Sequence, residues 1–355
     1  MNQPLQTQSG PLGLRPGEHV RVRSVLEIGP TLDARGSLDG MPFMPEMLQY
    51  CGGTFRVSQR ADKTCAGDGN PRLMPNAVHL EDLRCDGAAH GGCEAACRLF
   101  WNEAWLERVG DQAASAPTPL GGDDESNLRE LLERATTAVN GSQPAEPRYR
   151  CQATEIPKAS RLRRIREVDQ YPGDVRNWGL RKVLRVLAIE AFNIWQTFSR
   201  RLPPHLRIAE GAAYPFIRGP LPVKKGATPS ATLDLRPGEL VRVKSKKEIE
   251  ATLDERNHNR GLFFDGEMAR YCGRTARVRG RVARLVDEHS GEMIEISTDC
   301  IMLEGVVCLA DYHRLCTRGI YSYWREIWLE RVDEPTGNGT GPGLSACVQE
   351  TSRSN

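Results

Sequence analysis

The sequence lacks the patterns that mark secreted and membrane-spanning proteins. Its first residues, MNQPLQTQSGPLGLRPGE, show no basic segment followed by an apolar one, and no run approaches eighteen uncharged apolar residues. An excess of one charge is also missing, since 48 Lys and Arg balance 46 Asp and Glu, and no partner follows from net charge. We therefore expect a cytoplasmic protein without a transmembrane segment.

The common catalytic motifs are missing as well. The chain contains no Gly-x-Ser-x-Gly, no phosphate-binding glycine loop, no dinucleotide fingerprint and no His-Glu-x-x-His. No two cysteines have the Cys-x-x-Cys spacing that is usual in zinc ribbons and ferredoxins. These absences give no basis for predicting an enzymatic activity.

Cysteine, by contrast, is abundant, with 11 residues in a chain of 355. Disulfides rarely persist in the cytosol, so a high cysteine content there favours metal binding or redox chemistry over a disulfide framework. The odd number of cysteines agrees with this interpretation.

An internal repeat organises the chain. Residues 85–109, CDGAAHGGCEAACRLFWNEAWLERV, return without a gap as residues 308–332, CLADYHRLCTRGIYSYWREIWLERV. A second constant offset aligns residues 14–52 with 235–273. The identities include two cysteines, a histidine and two tryptophans at fixed spacing: Cys85 and Cys308, Cys93 and Cys316, His90 and His313, Trp101 and Trp324, Trp105 and Trp328. This pattern indicates that sulfur and indole serve the same purpose twice.

Each repeat predicts several short strands and one helical turn. Val20 and Val22 alternate with arginines, as in a half-buried strand. Ser24 precedes Glu27 by three residues, which is a capping box for a short helix, and the second repeat has the same pair. The second repeat also contains a hairpin with its turn at residues 287–291. Short strands with one helical turn predict a small, strongly curved β barrel.

The opening strand reads Gly-Glu-x-Val-Arg-Val and then Arg or Lys. In the first repeat it leads to Met44-Pro45, Tyr50 and a glycine-led strand. This pattern resembles the SH3-like barrel of nitrile hydratase β subunits and KOW-type modules, over about the first half of each repeat. The whole repeat also resembles bacterial tandem-repeat, cysteine-containing proteins. These resemblances imply an α+β chain of two tandem SH3-like barrels with a helical connecting segment, and they imply no activity.

Composition divides the chain into five segments. They are the first repeat at 14–109, a linker rich in Ala, Pro, Gly and Ser at 110–148 with a short helix at 127–137, a helical connector at 149–220, the second repeat at 235–332 and a disordered tail at 333–355.

The connector contains a strongly apolar predicted helix at residues 180–202. Its wide stripe comprises Val183, Leu184, Leu187, Ala188, Ala191, Phe192, Trp195 and Phe198. A membrane-surface helix has a similar pattern, but Glu190 interrupts the border of the stripe. We expect the helix to pack between the two repeats, with membrane binding as the alternative.

Four thiols can be assigned to each repeat. They are Cys51, Cys65, Cys85 and Cys93 in the first, and Cys272, Cys300, Cys308 and Cys316 in the second, with Cys65 taking the place of Cys300. Four thiolates suit a tetrahedral zinc site or an iron-sulfur cluster. We expect one zinc site per repeat, with an iron-sulfur cluster as the alternative. The non-metal interpretation is that these cysteines are small buried apolar side chains.

Several nearby residues have less certain roles. His90 and His313 each precede a cysteine by three residues, so either ring could replace a thiolate, hydrogen-bond one or lie on a surface loop. Cys97 is a spare ligand candidate, whereas Cys151 and Cys347 belong to no set. The tryptophan pairs are predicted core residues, with base stacking the less favoured role.

Three functions fit this sequence. The first is a zinc-stabilised binding or accessory module that acts on another protein. The second is an iron-sulfur protein for electron transfer or cluster supply. The third is a nucleic-acid binder that uses KOW-like barrels and the basic run at residues 161–166, but balanced charge disfavours it. We favour the first.

Overall fold

The computed structural model of the chain describes residues 11–67, 70–110, 123–138, 147–164 and 166–333. These residues form a mixed α/β structure with several small sheets. Most of the predicted linker and nearly all of the predicted tail lie outside the described residues. The chain divides into two compact units. The first unit consists of Met1–Val183, Val286–Ile294 and Leu315–Arg318. The second unit consists of Leu184–Leu285, Glu295–Arg314 and Gly319–Asn355. Two short segments of the second repeat thus belong to the first unit.

A five-stranded antiparallel sheet lies at the centre of the first unit. The strands up to residue 162 are β1 (His19–Val22), β2 (Ser37–Leu38), β3 (Met41–Pro42), β4 (Thr54–Arg60), β5 (Lys63–Cys65), β6 (Pro71–Leu73), β7 (Ala77–Leu80), β8 (Trp101–Asn102), β9 (Leu106–Arg108), β10 (Thr137–Ala138), β11 (Arg148–Tyr149) and β12 (Arg161–Leu162). The central sheet has the order β8-β7-β4-β1-β9. Smaller sheets are β12-β6-β5, β10-β11 and β2-β3.

The second repeat has a five-stranded sheet of corresponding order. Its strands are β13 (Leu240–Val243), β14 (His258–Asn259), β15 (Leu262–Phe263), β16 (Thr275–Arg281), β17 (Arg284–Val286), β18 (Met293–Glu295), β19 (Ile301–Val307), β20 (Tyr321–Trp324) and β21 (Leu329–Arg331). The order β20-β19-β16-β13-β21 places each strand where the aligned strand of the first repeat lies in its own sheet. Strands β17 and β18 form the predicted hairpin.

The helices are mostly short. They are α1 (Val25–Ile28), α2 (Asp123–Thr136), α3 (Gln152–Ala159), α4 (Gln170–Trp178), α5 (Leu180–Ser199) and α6 (Lys246–Glu250). Short 3₁₀ helices cover Gly29–Thr31, Pro45–Tyr50, Glu103–Trp105, Pro204–Leu206, Ile208–Gly211, Met268–Tyr271 and Glu326–Trp328. Helices α1 and α6 begin at the predicted capping boxes, where the amides of Ser24 and Ser245 donate to Glu27 and Glu248 at 2.8 and 2.9 Å.

The tryptophan pairs are core residues, as predicted. All four indoles are fully buried. Trp105 packs edge-on against Phe43 at a centroid distance of 5.1 Å, and its Nε1 donates to Thr31 Oγ1 at 3.2 Å. In the second unit Trp328 donates in the same way to Thr252 Oγ1 at 2.9 Å. These bonds satisfy a buried donor that would otherwise cost free energy.

Each repeat also contains a buried carboxylate in the 3₁₀ helix that follows an edge strand of its sheet. Glu103 accepts the amides of Gly13 and Leu14 and pairs with Arg60 Nη1 at 2.6 Å. Glu326, the aligned residue, accepts the amide of Leu235 and pairs with Arg281 at 2.5 Å. The two pairs differ in exposure, because the Arg281 side chain is 43% exposed and that of Arg60 is 9% exposed.

Segments outside the repeats contribute to the first core. Leu128 and Leu132 of α2, from the predicted linker, are buried in the same apolar cluster as Ile156 of α3. The predicted linker helix therefore exists, and it packs on the core of the first unit.

Helix α5 confirms the predicted helix, but its apolar stripe is largely exposed in the described residues. Val183 and Val186 are buried, whereas Leu184, Trp195 and Phe198 are exposed. Packing between the repeats stays a prediction. None of the helices within the described residues combines the length and apolarity needed to cross a lipid bilayer.

Candidate functional site

The structure brings together one Cys/His/Glu group in each repeat. Glu46, Cys85 and His90 form the first group, and in each group the ligand atoms lie within 4.8 Å of one another. The second group consists of the aligned residues, Glu267, Cys308 and His313. We call these the first and second triads. They are the groups of this kind that occur in the described part of the chain.

The first triad is assembled from two distant stretches of the chain. Glu46 lies in the 3₁₀ helix Pro45–Tyr50, and its side chain is 2% exposed. Cys85 lies just beyond β7, where its amide donates to Cys97 O at 2.8 Å. His90 follows in a tight turn, in which its amide donates to Gly87 O at 3.1 Å.

Two distances in the first triad, both measured from Cys85 Sγ, are close to those between ligands of one metal ion. His90 Nε2 is 3.6 Å from Cys85 Sγ, whereas the other ring nitrogen, Nδ1, lies at a hydrogen-bond distance of 2.9 Å from Glu46 Oε1. Cys85 Sγ is 3.5 Å from Glu46 Oε1. Sulfur at about 2.3 Å and nitrogen at about 2.1 Å from a tetrahedral zinc ion lie roughly 3.5 Å apart. Glu46 Oε2 is buried and has no hydrogen-bond partner among the described residues.

Burial and mutual hydrogen bonds set the protonation of the first triad. Burial alone would lower the pKa of His90, but hydrogen bonds to Cys93 and Glu46 outweigh burial and raise the pKa to about 9. Burial and the nearby Glu46 charge raise the pKa of Cys85. Burial would raise the pKa of Glu46, but the hydrogen bond from His90 lowers it overall. Without a cation, the thiol is therefore held protonated.

The turn between Cys85 and His90 requires glycine at position 87. Gly87 has a φ of +74°, and its amide donates to Cys85 Sγ at 3.3 Å. A β-carbon at this position would lie 1.9 Å from the carbonyl oxygen of Cys93. Because that oxygen belongs to the backbone, no side-chain rotation would relieve the contact.

The second triad has a different hydrogen-bond arrangement. His313 Nδ1 is 3.2 Å from Cys308 Sγ, and its Nε2 is 3.1 Å from Asp265 Oδ2. These two bonds raise the pKa of His313 to about 11, while burial raises the pKa of Cys308. Glu267 accepts the amides of Leu309 and Tyr312 at 3.2 and 2.7 Å.

The second loop has the same positive-φ positions as the first, although residues with a β-carbon stand where the first has three glycines. Four aligned positions have positive φ in both loops: Gly87 and Ala310, Gly91 and Arg314, Gly92 and Leu315, Ala96 and Gly319. A left-handed conformation costs a residue with a β-carbon roughly 1–2 kcal/mol. Backbone strain of this kind persists where the surroundings demand one conformation, and it clusters at functional sites.

The two predicted four-thiol sets are not gathered at single points in the described residues. Cys51 is 1% exposed in the first apolar core, and burial raises its pKa to about 12. Cys272 packs against the second core, and burial raises its pKa to about 11. Cys51 therefore matches the buried apolar role, and Cys272 matches it in part because it is only partly buried. Cys300 is also buried, next to β19.

The remaining thiols of the first unit fall into two groups. Cys65 and Cys316 have their sulfur atoms 2.8 Å apart, although 251 residues separate them in the chain. Cys93 Sγ accepts the amide of Val286 at 3.4 Å and is within hydrogen-bond reach of His90. Cys97 and Cys151, which the sequence left without partners, interact electrostatically with Cys93 and with each other.

The basic run at residues 161–166 is partly neutralised. Arg161 pairs with Glu167 at 2.8 Å, and Arg163 pairs with Asp169 at 2.7 Å. Phosphate binding uses arginines whose charge is available to the ligand, so these pairs weaken the case for a nucleic-acid site.

The pKa values of the triad thiols argue against nucleophilic attack. Cys, His and an acidic residue can form a nucleophilic triad, but that role needs a thiol with a depressed pKa. The pKa is raised for both Cys85 and Cys308. As metal ligands, one thiolate and one carboxylate would balance the charge of a divalent cation, with neutral imidazole as the third donor.

Sequence reasoning missed the two glutamates. Glu46-Met47 aligns with Glu267-Met268, so the repeat itself contained the signal, whereas the ligands predicted from sequence were cysteines and histidines. The chain matches no protein-family model, no curated protein and no solved structure. The function is therefore inferred from the geometry of the triads.

Proposed function

We propose that the protein binds metal through two modules, each holding one zinc ion with the Cys, His and Glu of its triad. The observation that carries the proposal is the occurrence of the same three donor types, at aligned positions, in both repeats. Thiolate, imidazole and carboxylate are all ordinary zinc ligands. An iron-sulfur cluster prefers four thiolates, so the mixed donors favour zinc.

We also propose that the two modules are duplicated small barrels of the SH3-like class. Three features support the duplication: the corresponding strand orders, the aligned buried glutamates Glu103 and Glu326 that each pair with an arginine, and the shared positive-φ positions in the loops. In such a module the metal would fix a loop of irregular backbone to the 3₁₀ helix that carries the glutamate. The module would then present a surface to another protein.

The metal content of purified full-length chain tests the proposal. We expect wild-type protein, dialysed to remove loosely bound ions, to retain two zinc ions per chain by elemental analysis. Cys85→Ser and Cys308→Ser are each expected to retain one, and the double variant none. We expect the loss of one ligand to weaken zinc binding strongly, because the free energy of binding structural zinc is coupled directly to folding.

A matched control separates the triads from the four-thiol sets. Cys51→Ala combined with Cys272→Ala removes one aligned thiol from each repeat without touching a triad. We expect this protein to keep both zinc ions. Loss of zinc from the control, or full zinc content in the double triad variant, would contradict the proposal.

A further inference from the structure

The two triads differ in their access to solvent. In the first, the side chains of His90 and Glu46 are each 2% exposed. In the second, the side chain of His313 is 37% exposed. A metal ion held by the first triad would be enclosed by protein, whereas one held by the second would lie beside an accessible imidazole.

The exposed histidine lines a cavity of about 850 Å³ within the second unit. Sites for small molecules have volumes of roughly 300–1,000 Å³. Tyr214, Tyr312 and Phe263 provide aromatic walls, and the charged side chains in the lining are Arg200, Arg218, Glu210, Glu255 and Asp265, of which Arg218 pairs with Glu210. The cavity therefore combines an aromatic surface with charged groups of both signs near the second triad.

Three substitutions distinguish the surroundings of the second triad from those of the first. Where the first repeat has Met44, Pro45 and Ala89, the second has Asp265, Gly266 and Tyr312. All three second-repeat residues line the cavity. A β-carbon on Gly266 would lie 3.1 Å from the Tyr312 ring, so the glycine makes room for the tyrosine.

Asp265 also changes how the histidine is held. It bonds Nε2 of His313 at 3.1 Å and leaves Nδ1 facing Cys308. A carboxylate on the distal nitrogen of a ligating histidine orients the ring and increases its basicity. In the first triad the distal nitrogen faces Glu46, a proposed ligand, and Met44 at the aligned position has no such group.

The first triad has a nearby cysteine that could serve as a fourth metal ligand. The aligned cysteine of the second repeat lies next to a different residue. Cys93 is within hydrogen-bond reach of His90. Its counterpart Cys316 belongs to the first unit, where its sulfur lies 2.8 Å from that of Cys65. Closed four-ligand sites are structural, whereas sites with three protein ligands keep a position for water or substrate.

From these differences we infer that the second triad, together with the cavity beside His313, is a site at which a small molecule coordinates the bound metal. The inference rests on the proposed metal binding. The ligand class has two parts: an anionic metal-binding group that completes the coordination, and an aromatic ring that packs against Tyr214 and Tyr312. The first triad serves only to hold its module together.

Cobalt-substituted protein and two hydroxamates test this inference. Cys85→Ser leaves the second triad as the sole complete one, and Cys308→Ser leaves the first. Each variant is loaded with Co²⁺, and its visible spectrum is followed while benzohydroxamate or acetohydroxamate is added. The two probes share the metal-binding group and differ in the ring. Glu46→Gln and Glu267→Gln provide a second pair of single-site proteins should a cysteine variant fail to fold.

We expect the cobalt bands to shift in the protein that retains the second triad and to stay unchanged in the other. Benzohydroxamate should bind about tenfold more tightly than acetohydroxamate because its ring is removed from water. Tyr312→Ala should reduce that ratio. A response from both single-site proteins, a response from neither while cobalt is bound, or equal affinity for the two probes would overturn the inference. Absence of bound cobalt from both would instead refute the proposed metal binding.

Discussion

Replacing Gly87 with alanine is expected to disrupt the loop that carries Cys85 and His90. The φ of Gly87 is +74°, which costs a residue with a β-carbon roughly 1–2 kcal/mol. The new β-carbon would also lie 1.9 Å from Cys93 O, although contacts below 3.0 Å are essentially never seen. Strain and backbone displacement together should lower the free energy of unfolding by about 3 kcal/mol.

The aligned position in the second repeat provides the matched control. Ala310 already has a φ of +64°, so Ala310→Gly relieves strain while it increases the entropy of the unfolded chain. These effects oppose each other, and we expect a net change within about 1 kcal/mol. Glycine and alanine are thus exchanged in opposite directions at equivalent positions.

Urea denaturation followed by tryptophan fluorescence measures both changes, because the indoles of both repeats are buried. Zinc analysis of the same samples should show that Gly87→Ala loses metal from the first triad and retains it at the second. A Gly87→Ala protein within about 0.5 kcal/mol of wild type would refute the reasoning, since the loop would then tolerate a β-carbon.

Three further outcomes are expected. Diamide, a thiol oxidant, should form a disulfide between Cys65 and Cys316 within one chain, because their sulfur atoms are 2.8 Å apart. Peptide mapping without reductant should detect this disulfide, and its absence would contradict the contact. In denaturation experiments, Glu103→Gln should destabilise the protein by about 3 kcal/mol and Glu326→Gln by about 1 kcal/mol. The second loss is smaller because the arginine partner of Glu326 is partly solvated, whereas that of Glu103 is buried. Equal losses of stability in the two variants would contradict this difference in burial. The ion pair with Arg161 lowers the pKa of Glu167 to about 2. The stabilisation that this pair provides is therefore complete above the ordinary pKa of 4.5 and is lost as the pH falls towards 2. An NMR titration that gives a pKa of 4.5 for Glu167 would exclude the pair.

The strand and helix pattern of the repeats could be predicted because it depends on local chemistry. Alternating Val20 and Val22 specify a strand with one buried face, and both valines are fully buried in β1. The Ser24 and Glu27 pair caps α1 through bonds that span only three residues. Paired tryptophans identified the core because large apolar surfaces are seldom left in water. The alignment of residues 85–109 with residues 308–332 was visible for the same reason, since it needs only the order of the residues.

The local sequence pattern could not predict which residues meet in each candidate site. Glu46 and Cys85 lie 39 residues apart in the chain, and their distance of 3.5 Å depends on how the 3₁₀ helix packs beneath the loop. Cys316 aligns with Cys93 in sequence, yet its sulfur lies beside Cys65.

The sequence by itself determined that two stretches of the chain align with each other, which segments form short strands and where the cysteine and histidine side chains lie along the chain. Tertiary structure alone decided that Cys51 lies within one apolar core and Cys272 against the other, while Cys85 and Cys308 each meet a histidine and a glutamate. Hydrophobic burial acts on residue type and tolerates small displacements. Coordination and hydrogen bonding require atoms from distant segments to meet within a few tenths of an ångström, and only the folded backbone sets such distances.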